Sequence, residues 1–62
     1  MLKIEFKKPQ KVFGRDLHDS VLANDATLDY VKDIQLVVID VSYKKWPLIL
    51  DIKLIKSIKN FK

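Results

Sequence analysis

Ile34-Gln35-Leu36-Val37-Val38-Ile39-Asp40-Val41-Ser42-Tyr43 constrains the fold of this chain more than any other stretch. Ile34, Val37, Val38, Ile39 and Val41 are β-branched and Tyr43 is aromatic. Such side chains lose χ1 freedom in a helix and pack well on a pleated surface. Leu36–Ile39 is apolar on both faces, so the segment reads as a strand covered on two sides. The rest of the chain must supply that cover.

There is little chain to supply it. Sixty-two residues make a single domain, 1–62, and a body this small buries only about 60% of its unfolded surface. There is no cysteine and one histidine, which leaves neither disulfides nor thiolate metal sites as staples. Association with a second chain is the remaining staple, so the sequence predicts a homodimer. The N-terminus alternates charge with apolarity and is not a secretory signal; no apolar run approaches the ~20 residues of a membrane span. A cytoplasmic protein is expected.

Leu2, Ile4 and Phe6 alternate with Lys3, Glu5 and Lys7, which predicts an edge strand over Leu2–Lys8, ended by Pro9. Gly14 is the one glycine and the expected site of any positive φ. Asp16 can cap a helix through Leu17, Val21 and Leu22. Asn24-Asp25 reads as a helix end or a hairpin turn, and Leu28 and Val31 share a helical face beyond it. Asp16–Asp33 is therefore read as helical but interrupted.

After Lys44-Lys45-Trp46-Pro47, Leu50, Leu54, Ile58 and Phe61 recur at helical spacing, with Lys53, Lys56, Lys59 and Asn60 opposite. Pro47 suits a first helical position and the lysines suit a last turn. The competing pattern is a third antiparallel strand over 48–54, where Leu48, Leu50, Ile52 and Leu54 alternate with Asp51 and Lys53. The helix runs further and is preferred. The expected fold is α+β: an edge strand, a broken helical middle, a buried strand and a C-terminal amphipathic helix. Two strands make a poor sheet alone, and pairing two copies into four would resolve that.

No constellation carries catalysis. His18-Asp19 resembles the paired dipeptide of metal-dependent phosphohydrolases, but such sites need further histidines that this chain lacks. Asp16, His18 and Ser20 are triad residue types too close in sequence to converge. The aspartates at 16, 19, 25, 29 and 33 miss the spacing of a hard-metal loop. Asp40 interrupts an apolar strand, and is either buried with a partner or facing water to blunt an edge.

The expectation is thus a small protein that is not an enzyme and needs no cofactor or metal: a protein-binding module, an inhibitor or regulator in kind. It would use a sheet edge, Trp46 and the basic C-terminal segment to engage another protein. Trp46, Lys44, Lys45, Lys53, Lys56 and Lys59 are the binding residues expected. An exposed tryptophan in a turn is a common anchor, although Trp46 could instead fold back to cap the core. The formal charge of +4, from eleven lysines and Arg15, supports an alternative of charge-driven nucleic-acid binding. A second alternative is membrane-surface attachment through Trp46 and the tail.

Overall fold

Alternation carries the first strand further than its charged half suggests: β1 runs Leu2–Lys11, through Pro9. The structure, a computed structural model, describes residues 1–60; Phe61 and Lys62 lie outside them, as does Phe61's part in the helical spacing. The other strands are β2, Leu17–Val31; β3, Ile34–Val41; β4, Leu48–Asp51; and β5, Ile55–Asn60. A single 3₁₀ turn, Ile52–Leu54, joins β4 to β5. All strand pairs are antiparallel, in the order β4-β3-β2-β1-β5.

The α+β expectation is overturned, because the described residues contain no α-helix. The interrupted helix over Asp16–Asp33 is the long strand β2 and its turn. The C-terminal amphipathic helix is β4, the 3₁₀ turn and β5. The third strand returning along β3 is present over Leu48–Asp51 and stops at the turn. One chain thus supplies five strands, so the need to borrow two from a second copy disappears.

Connectivity dictates curvature. β4 and β5 follow one another in sequence but lie at opposite edges of the sheet. Flat, five strands spaced about 4.8 Å apart would hold those edges about 19 Å from each other. From Asp51 to Ile55 the chain reaches about 14 Å at most, and less when wound as a 3₁₀ turn. The sheet must therefore curl into an incomplete barrel. The 3₁₀ turn forms its seam and packs against β1 and β3.

Irregularities in the ladders make the curl. Ala23 pairs with Val41 and Asp25 with Asp40, so Asn24 and Asp25 together face one residue of β3. Glu5 pairs with Ser57 and Phe6 with Ile55, leaving Lys56 as the extra residue of β5. Such bulges bend the strand and increase its twist. Between Glu5 and Gln10, β1 parts from β2, and Pro9 falls in that gap, where no ladder N–H is required.

Inside the curl lie Ile4, Phe6, Val12, Val21, Ala23, Val37, Ile39 and Val41. Leu2, Ala26, Leu48, Leu50, Ile52 and Ile55 close its ends. No polar side chain is buried among the described residues. β3 ends at Val41, where the Lys44 N–H donates to the Val41 carbonyl at 3.1 Å and turns the chain.

Positive φ falls elsewhere than Gly14. Phe13 adopts φ 53° and Lys32 φ 57°, whereas Gly14 has no positive φ. A Cβ on Gly14 would meet only the Val12 carbonyl, at 4.0 Å. Lys32 opens the two-residue turn between Val31 and Ile34, a place that favours glycine because a Cβ crowds the carbonyl there. Lys32→Gly is expected to stabilise the fold by about 0.5–1 kcal/mol, the relief of strain exceeding the entropy glycine adds to the unfolded chain. Urea unfolding would show it as a raised midpoint; a lowered one would mean the lysine side chain makes contacts the hairpin needs.

Candidate functional site

The outer face of β2, β3 and β4 follows from register. Val37, Ile39 and Val41 point into the core, so Leu36, Val38 and Asp40 point out. Leu48 and Leu50 pack inward, which turns Ile49 and Asp51 outward. Ala26 does the same for Asp25, Thr27 and Asp29. Cross-strand pairing sets these residues in rows: Thr27–Val38–Ile49 in the middle and Asp29–Leu36–Asp51 beside it. Asp25–Asp40 forms the next row on the other side. An apolar centre is thereby framed by four carboxylates.

A groove of about 170 Å³ crosses this face, lined by Asp25, Ala26, Thr27, Val38, Asp40, Lys45 and Pro47. Trp46, between the lining residues Lys45 and Pro47 in sequence, is 74% exposed, and Ile49 is 54% exposed. Trp46 does not fold back on the core. Asp40, left open between burial and exposure by the sequence, is exposed although β3 is an interior strand.

The six binding residues expected from sequence divide between two places. Lys44, Lys45 and Trp46 share the loop between β3 and β4, with the Lys44 ammonium 5.4 Å from the Tyr43 ring centroid. Lys53 sits in the 3₁₀ turn, and Lys56 and Lys59 on β5. No helix gathers the last three. Lys59 Nζ lies 3.1 Å from Glu5 Oε1, and Ser57 Oγ donates to the same oxygen at 3.1 Å. The Lys59 ammonium, then the Ser57 hydroxyl, hold the Glu5 carboxyl below its ordinary value. His18 is exposed at the far end of β2, opposite Gln10. Among the described residues no group of three His, Cys, Asp or Glu is placed to hold a metal ion.

The sheet edges are guarded. Val31 and Ile34 close a two-residue hairpin, which directs the N–H groups of Ala26, Leu28 and Tyr30 to the open side of β2. Asp25 Oδ1 accepts from the Ala26 N–H and Asp29 Oδ1 from the Tyr30 N–H, each at 2.8 Å. β4 is four residues long, and β5 carries lysines. Short, charged or internally capped edges resist strand addition.

Sequence reasoning singled out Trp46 and Asp40, both of which are exposed. It missed Leu36, Val38 and Ile49 with Asp25, Asp29 and Asp51, because that grouping exists only once β2 and β4 flank β3. The one signal was the apolarity of β3 on both faces. Comparison with protein-family models, curated proteins and solved structures gave no match. Among the described residues no helix is long and apolar enough to cross a membrane.

Proposed function

We propose that the protein is a non-enzymatic binding module, cytoplasmic, whose outer β2–β3–β4 face receives a basic segment of another protein. An apolar side chain of that segment would occupy the Val38–Ile49 row beside Trp46. Its lysines or arginines would meet Asp25, Asp40, Asp29 and Asp51. What supports this reading is a 74%-exposed tryptophan in the loop that leads into β4, together with a row in which Ile49 is exposed and Val38 half-buried, inside a carboxylate frame. Exposed apolar groups rimmed by polar ones mark interaction surfaces, and opposite charge sets register and on-rate. The face is favoured over the edges because the edges are guarded.

The test uses short synthetic peptides with one leucine or tyrosine among lysines, and a matched set with glutamates. Amide NMR shifts are expected to move at Thr27, Leu36, Val38 and Ile49, and at the Trp46 indole, with the basic set alone. Trp46→Ala should weaken binding by roughly tenfold or more, as truncation of an anchor does. It should change stability by less than about 0.5 kcal/mol, as exposed substitutions do. Equal responses to both peptide sets, or shifts confined to β1 and β5, would refute the reading.

A further inference from the structure

Positive charge gathers on the opposite side of the strand order. Phe6 pairs with Ile55, so the residues after Phe6 in β1 run alongside the 3₁₀ turn and the start of β5. That register brings Lys7 and Lys8 of β1 together with Lys53 of the turn and Lys56 of the β5 bulge. All four are exposed. Phe6 is buried and Ile55 packs on the core, so Lys7 and Lys56, their neighbours, both stand outward. The bulge leaves Lys56 out of the ladder, adding its ammonium to the same surface.

Nearby carboxylates do little to neutralise the cluster. Glu5 is engaged by Lys59 and Ser57, and Asp51, whose Oδ1 accepts the Lys53 backbone N–H at 2.9 Å, keeps its charge but belongs to the outer row with Leu36. Asp25, Asp29 and Asp40 belong to the other face, and Asp19, which falls opposite residues 6–9 of β1, alternates onto the side of Val21 rather than that of Lys7. From these observations we propose that the β1–turn–β5 surface binds the phosphate backbone of duplex nucleic acid without reading sequence.

The residue types choose among polyanions. Four lysines offer point charges to phosphates, and bidentate base reading would need arginine, of which the chain has only Arg15. Neither 6–9 nor 52–57 contributes an exposed large apolar or aromatic side chain. A single-strand platform needs aromatics on which bases stack, and an interfacial membrane site needs apolar groups to insert. Duplex phosphate, bound through charge alone, needs neither.

The experiment is fluorescence anisotropy of the full chain with labelled DNA duplexes of two unrelated sequences, over a salt series. Four phosphate contacts predict a slope of log Kd against log salt of about 3–4, with similar affinity for both sequences. Lys7→Gln/Lys56→Gln should lower that slope by about two and weaken binding by about tenfold or more. Lys8→Gln/Lys53→Gln should do the same, which guards against a folding defect in one variant. Lys44→Gln/Lys45→Gln removes equal charge from the β3–β4 loop and should stay within about threefold of the parent. Equal losses in all three variants would reduce the effect to net charge and overturn the site. No binding at low salt, or tighter binding to phosphatidylserine vesicles than to duplex, would overturn it as well.

Discussion

Ile39→Ala is expected to cost about 3–4 kcal/mol and to leave the chain close to its unfolding threshold. Ile39 is 0% exposed, on a strand paired on both sides. Its cross-strand neighbours are Ala26 on β2 and Leu48 on β4. Removing three carbons there loses their transfer energy and opens a cavity. Collapse into it is limited, because Ala26 is too small to refill the space and the ladders hold β2 and β4 in register. A domain of this length has about 3–9 kcal/mol to lose. With a urea dependence of about 1 kcal/mol/M for a small protein, the midpoint should fall by about 3 M. Far-UV circular dichroism is the suitable probe, since an exposed Trp46 reports the fold poorly. Ile49→Ala is the control: the same chemistry on the outer face of the next strand, costing less than about 1 kcal/mol. Equal midpoints for the two variants would mean that the sheet does not close over Ile39.

That contrast between the two faces of one sheet bears on what the residues could reveal in advance. β1 was legible as a strand because Leu2, Ile4 and Phe6 keep a period of two. Its expected place at an edge is overturned, since β1 lies between β2 and β5 and its charged residues face outward from an interior strand. β3 was legible because β-branched residues dominate it; it ends at Val41, not Tyr43. The two stretches read as helical are those where bulges break the period. Val21 and Ala23 face the core, and the next inward residue is Ala26, since Asn24 and Asp25 together occupy one outward position. A step of three among steps of two resembles helical spacing.

Ile52, Ile55 and Ile58 compound the effect. The first step of three crosses the 3₁₀ turn, whose own period is three. The second crosses the Lys56 bulge. Neither step comes from an α-helix. The candidate site was partly legible for the same reason: Trp46 announces itself within a turn, whereas the carboxylate frame is built across strands. Lys53 and Lys56 were picked out as basic, but Lys7 and Lys8 join them only because β5 returns to β1.

Ala23→Leu should destabilise by about 2–3 kcal/mol although it adds apolar surface, because this is where the curl leaves least room. Ala23 is 0% exposed and pairs with Leu2 on one side and Val41 on the other. It is the residue at which β2 exchanges β1 for β3 as its ladder partner, immediately before the Asn24 bulge. A longer side chain there points into a closed interior already occupied by Ile4, Val21 and Ile39. It can be admitted only by moving β1 away from β3, which opens the sheet at its tightest bend. Ala26→Leu supplies the comparison: also inward, but beyond the bulge, at an end of the core and only partly buried, so the added carbons need not be fully enclosed. Its cost should stay below about 1 kcal/mol. If hydrophobicity alone held the barrel together, both substitutions would stabilise it; if curvature limits the core, the two thermal midpoints separate, with Ala23→Leu far the lower.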